Sequence, residues 1–113
     1  MSRLTSDFFI SALLRTVSGR GDYATIVKKG ASQAGAIFIV IRGRAGQISL
    51  YGPAPQQAYS EDKGRLFLRN ELVSDDIALD ALMAKESRFD PDYWLVELEL
   101  SSSNAELPFS TMP

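Results

Sequence analysis

Cysteine and histidine are both missing from the 113 residues. Without cysteine there is no disulfide, no thiol nucleophile and no thiolate metal site, a composition that suits a reducing cytoplasm. Without histidine, a Ser-His-Asp triad, a Cys-His dyad and an imidazole-ligated zinc or iron centre are all excluded. Any acid–base chemistry would fall to Asp, Glu, Lys or Tyr. A basic excess is absent too. There are 12 Lys and Arg against 14 Asp and Glu, for a net charge of −2, which argues against a nucleic-acid partner. No apolar run approaches the ~20 residues of a membrane-spanning helix. The opening "MSRLTSDFF" has no charged leader with a long apolar core, so no signal peptide is expected. The expectation is a cytoplasmic protein that neither spans nor docks on a membrane.

What is present fits one folded domain. Apolar residues make up 45% of the chain, an ordinary share for a globular protein. Thr5 or Ser6 caps a first helix whose stripe is Phe9, Leu13 and Val17, flanked by Ile10 and Leu14. "SGRGD" (18–22) stops it. Tyr23, Ile26, Val27, Ala31 and Ala34 fall at helical spacing and predict a second helix from Asp22, ending at Gly35 or earlier at "KKG". "AIFIVI" (36–41) is an apolar run without alternation, a strand covered on both faces. "RGRAG" (42–46) is a hairpin turn and "QISLY" (47–51) its partner strand. A Gly- and Pro-rich loop (52–64) leads to a third strand, "RLFLRNEL" (65–72). Ser74 or Asp75 caps a third helix, with Ile77, Ala81 and Ala84 on one side and Leu79, Leu82 and Met83 near it, and Pro91 closes it. "YWLVELEL" (93–100) is a fourth strand. The predicted fold is a two-layer α+β domain over residues 1–100, in the order ααβββαβ. Its sheet is four-stranded and mostly antiparallel with the helices on one face, and residues 101–113 form a polar tail.

"RFDPDYW" (88–94) poses the sharpest chemical question. Glu86, Asp90 and Asp92 offer three carboxylates that a turn could gather around a hard cation. They would make a small metal-dependent hydrolase or nuclease. The stretch resembles the Pro-Asp … Glu-x-Lys pattern of restriction-type nucleases, but Glu97 and Glu99 follow on one short strand and no lysine completes the set. Aspartate beside proline is also common helix-to-strand punctuation, because its side chain bonds nearby backbone amides. Punctuation is the preferred explanation, so no metal site and no cofactor is assigned. In "KKGASQAG" (28–35), Gly30 and Gly35 mimic phosphate-loop spacing, yet Ala36-Ile37 stands where Lys-Ser or Lys-Thr is needed. Packing and helix exit explain these glycines better. Arg42 and Arg44, with Lys63 and Arg65, form a weak candidate for anion binding.

Strand alternation places Ile48, Leu50, Leu66, Leu68, Trp94, Val96, Leu98 and Leu100 toward the core. The opposite face then carries Tyr51, Arg65, Phe67, Arg69, Tyr93, Leu95, Glu97 and Glu99. An aromatic and aliphatic patch rimmed by arginines and glutamates suits an interface. Three explanations compete for it. A homodimer would set Arg65 and Arg69 of one copy against Glu97 and Glu99 of the other. A sheet platform would stack single-stranded RNA. Alternatively, the tail or the 52–64 loop covers the patch.

"RLTSDFFISALLR", "AGAIFIVIR", "LYGPAPQ" and "SRFDPDYWLVELE" together resemble a family of short, mainly alphaproteobacterial proteins described only as a domain of unknown function. The resemblance spans most of residues 3–99 and implies a bacterial cytoplasmic protein. It implies no catalytic residues. The expected function is a non-enzymatic binding or regulatory module that self-associates, with an unknown protein as a further possible partner. The metal-dependent hydrolase is the alternative.

Overall fold

The computed structural model describes residues 4–55, 65–101 and 106–112. Helix α1 (Ser6–Gly19) precedes strands β1 (Tyr23–Lys28), β2 (Ile37–Arg42), β3 (Ile48–Pro53) and β4 (Leu66–Asn70). Helix α2 (Asp76–Phe89), β5 (Trp94–Glu99) and a short β6 (Ser110–Thr111) follow. The strands form one sheet in the order β1-β5-β2-β3-β4-β6. β2 runs parallel to β5 and β4 parallel to β6, and the other neighbours are antiparallel. The fold is α+β, but it has two helices and a six-stranded mixed sheet in place of the expected four-stranded, mostly antiparallel one.

The expected second helix is strand β1. Tyr23, Thr25, Ile26 and Val27 are aromatic or β-branched, stiff at χ1 and suited to a pleated surface. Over six residues their spacing fits both periods, and pairing with β5 decides between them. The expected placement of the helices on one face is also corrected. Ile10, Leu13 and Val17 of α1 pack with Ile37, Ile39, Trp94, Val96 and Leu98. Leu79 and Met83 of α2 pack with Phe38, Val40, Ile48, Leu50 and Leu95 on the other face. β2 thus feeds both cores from alternate positions, as its unbroken apolar run predicts. Each such buried aliphatic or aromatic side chain contributes roughly 1.5–3 kcal/mol.

Short polar residues sit at both helix starts, but only that of α2 forms a side-chain cap. The Asp75 carboxylate accepts from the Ala78 N–H at 2.8 Å and caps α2. Thr5 occupies the cap position of α1 but turns its hydroxyl to Asp7. Ser6 is fully buried and donates to the Gly35 carbonyl at 2.6 Å.

The segment between β1 and β2 acts as a structural node. The Ser6 and Asp7 N–H groups donate to the Gln33 and Ser32 carbonyls. The Trp94 indole donates to the Ala31 carbonyl at 2.8 Å, and the Ala31 N–H donates to the Asp92 carbonyl. Gly30 and Gly35 let this loop press against the backbone at Asp92, where a Cβ would collide with the carbonyl. The packing role expected for these glycines holds, while the helix exit does not exist.

Residues 106–112 join the fold. Ser110 and Thr111 pair with Leu66 and Phe67, and Leu107 and Phe109 pack against the α1-side core. No helix among the described residues is long and apolar enough to cross a membrane.

Candidate functional site

The carboxylates of Glu86, Asp90 and Asp92 do not form a metal-holding group. The Asp90 side chain accepts from the Asp92 N–H at 3.0 Å, closing a local turn as α2 ends. The Asp90 N–H in turn donates to the Glu86 carbonyl. Lys28 donates its ammonium to the Pro91 and Tyr93 carbonyls and lies over the Tyr93 ring, so the turn is tied to β1. Among the described residues no group of three or more acidic side chains is placed to hold a metal ion. Asp90 closes the turn, whereas Glu86 lies within α2 and lines a groove on that side.

Arg42 is already occupied. Its Nε donates to Glu97 at 2.8 Å, and its Nη1 and Nη2 donate to Asp76 at 3.2 and 2.7 Å. The Asp76 hydrogen bonds, then the Glu97 bond, hold the guanidinium above its ordinary range. The same hydrogen bonds hold the Asp76 carboxyl below the usual carboxylate range. Arg42 thus clamps the first turn of α2 to β2 and β5, and Arg44 is exposed in the adjoining turn. Lys63 lies outside the described residues.

The supposed interface residues do not share one face. β5 enters the sheet between β1 and β2, and its register turns Tyr93, Leu95 and Glu97 toward α2. Tyr51 and Phe67 face α1 instead. There Phe109 meets both rings edge-on, with centroids 5.1 and 5.2 Å away. Arg65 donates to the Leu4 carbonyl and Ser6 hydroxyl and lies over Phe9. Arg69 is exposed opposite Tyr51, and Glu99 is exposed opposite Tyr23. The common face that would set Arg65 and Arg69 against Glu97 and Glu99 is absent. Leu107 and Phe109 of the C-terminal segment pack on this side, Phe109 against Tyr51 and Phe67. Most of the 52–64 loop lies outside the described residues.

Among the described residues a different place on the α2 face is left open. α2 sits over the middle of the sheet, and its core draws on β2, β3 and β5 but not on β4. Beside it lies a groove of about 530 Å³ lined by Phe38, Leu50, Gly52, Leu68, Leu82 and Glu86, with Arg69, Asn70 and Glu71 along the rim. Leu68 is 43% exposed on its floor. Gly52 matters for space, because a Cβ there would come within 3.1 Å of the Phe38 ring and roof it over. Leu68 was expected in the core. Leucine at both ends of "LFL", with phenylalanine between, signals a strand with two apolar faces, but not which of them stays uncovered.

The comparisons with known proteins agree with this architecture. Residues 4–107 match the family described as "Protein of unknown function (DUF1491)". A solution structure from Agrobacterium tumefaciens is 39% identical, with a TM-score of 0.80 over 99% of this chain and 98% of that one. A crystal structure of a family protein from Caulobacter crescentus is 26% identical, with a TM-score of 0.79 over 99% of this chain and all of that one. An NMR structure of a family protein from the same organism gives 27% and 0.78, with both chains fully covered. No curated protein matches the chain. With nearly its whole length matched, the chain belongs to the DUF1491 family, an alphaproteobacterial group without an assigned function.

Proposed function

We propose that this protein is a cytoplasmic, non-enzymatic binding module that receives an apolar group bearing positive charge in the groove between α2 and β4. One observation carries the proposal: Leu68, mid-strand and 43% exposed, floors a concave site that α2 leaves uncovered. Binding sites are typically concave, mostly apolar and oriented by a few polar groups. Here Phe38, Leu50, Leu68 and Leu82 supply the apolar surface, and half-buried Glu86 with Glu71 outweighs the one rim cation, Arg69, so the charged groups at its edge sum to net negative. "LYGPAPQ" contributes Gly52 and Pro53 to the wall. The lack of cysteine supports the reducing compartment.

The test is a titration of ¹⁵N-labelled protein with phenethylammonium, and with phenylpropionate as the anionic control. The amides of Phe38, Gly52, Leu68 and Leu82 should shift with the cation and respond less to the anion. Glu86→Gln should remove that preference, and Leu68→Arg should abolish binding. Shifts that miss the groove, or that ignore both substitutions, would refute the assignment.

A further inference from the structure

Among the described residues the sheet ends at β1, where exposed apolar side chains lie on both faces. Tyr23 is 74% exposed and Val27 55%, and Ile26, on the α1 side, is 39% exposed. Among the described residues, β5 is the only strand paired with β1, and its outer edge carries no backbone bond to another segment. Such an edge is a template for strand addition, and proteins usually guard it with lysine, proline or a bulge. β1 does bulge between Ile26 and Lys28. Before the bulge, however, Tyr23–Ile26 pairs regularly with Glu99–Val96 and contains no charge and no proline. The lysine that could guard it, Lys28, is turned inward to the Pro91 and Tyr93 carbonyls.

We infer that β1 is a homodimer interface, on which a second copy of this chain adds its own β1 antiparallel about a two-fold axis through Thr25. The sequence of the strand selects both partner and register. Residues directly opposed in an antiparallel pair share a face. With Thr25 on the axis, Ala24 meets Ile26, both on the α1 side, opposite Leu98 and Val96 of β5. Tyr23 then lies beside Val27, the extra residue of the bulge, so the regular part of the pairing is Ala24 with Ile26 about Thr25. The next register, centred on Ala24, sets Asp22 against Ile26, although the Asp22 carboxylate already accepts from the Ser101 N–H. The Thr25 register places no like charges in opposition. The isologous contact extends the sheet across both chains and closes an otherwise open edge.

Light scattering after size exclusion should give twice the single-chain mass. Thr25→Lys, which brings two ammonium groups together on the axis, should halve it while circular dichroism stays unchanged. The cysteine-free chain allows a second readout. Thr25→Cys should cross-link rapidly under mild oxidation, whereas Leu72→Cys, 89% exposed beyond β4, should not. A single-chain mass across a micromolar-to-millimolar series would overturn the inference. So would a dimer that survives Thr25→Lys and cross-links no faster through Cys at 25 than at 72.

Discussion

Gly30 and Gly35 show how one missing methyl group sets the geometry of a whole region. A Cβ on Gly35 would lie 2.5 Å from the Asp92 carbonyl oxygen, and one on Gly30 closer still. The neighbour in each case is backbone, which cannot swing aside as a long side chain could. That backbone also accepts the Ala31 N–H and leads directly into Trp94, whose indole returns to the Ala31 carbonyl. Gly30→Ala and Gly35→Ala should therefore each destabilise by about 1–3 kcal/mol, the usual range for overpacking. Urea unfolding is the appropriate measurement, with a lower midpoint expected at an unchanged slope. Equal midpoints would mean that the loop can move away from Asp92. At this scale much was legible. Two glycines without a phosphate-loop lysine point to close packing, and Asp90 and Asp92 astride a proline point to a turn. The partner backbone was not legible, because its contact spans about sixty positions and residue preferences report only on near neighbours.

The elements divide by whether a local signal specifies them. α1 announces itself through a stripe with period 3.6, α2 through its Asp75 cap, and the β2–β3 hairpin through a glycine turn in which Gly46 takes φ +87°. β1 has only six residues, and pairing rather than periodicity makes it a strand. The entry of β5 between β1 and β2 has no local signature at all, and that entry is what split the expected interface. The orientation of α2 is fixed by the Arg42 clamp, which supports a prediction about pH. The Arg42 hydrogen bonds depress the Asp76 pKa in the folded chain. A depressed carboxylate contributes stability that is fully present above its unfolded pKa and is lost as pH falls through the folded one. Asp76→Asn should thus lower the melting temperature at neutral pH, and the gap to the parent should close in acid. Asp76 is exposed, so the neutral-pH gap should be modest. A gap that is constant from neutral to strongly acid pH would show that the clamp acts through shape rather than charge. Arg42→Met tests the other side and leaves half-buried Glu97 without its 2.8 Å partner.

For the whole molecule, the question is what seals each face of a sheet that, among the described residues, has six strands and one helix per side. Among the described residues nothing seals the flanks on the α2 side, which leaves the groove beside β4 and the edge at β1. Neither was legible from the strand patterns, because exposure there depends on how far α2 reaches and not on which residues the strands present. On the α1 side the helix reaches Phe67 through Phe9, with ring centroids 5.7 Å apart, and the C-terminal segment completes the cover. Leu107 and Phe109 add to that core, β6 pairs with β4, and Arg20 donates to the Glu106 carbonyl. The segment's low apolar content reads as a tail, yet two apolar residues at the correct spacing suffice to dock it. Phe109 is only partly buried, so Phe109→Ala should cost about 2 kcal/mol, below the range for a fully buried ring. A chain ending at Ser101 should lose more, since Tyr51 and Phe67 are then uncovered together and β4 becomes an edge. Thermal melting should show the ordering parent, Phe109→Ala, truncation, and the truncated chain should bind more of a hydrophobic dye than the parent does. If all three melted alike, α1 alone would close this face and the C-terminal segment would rest on a core that does not need it.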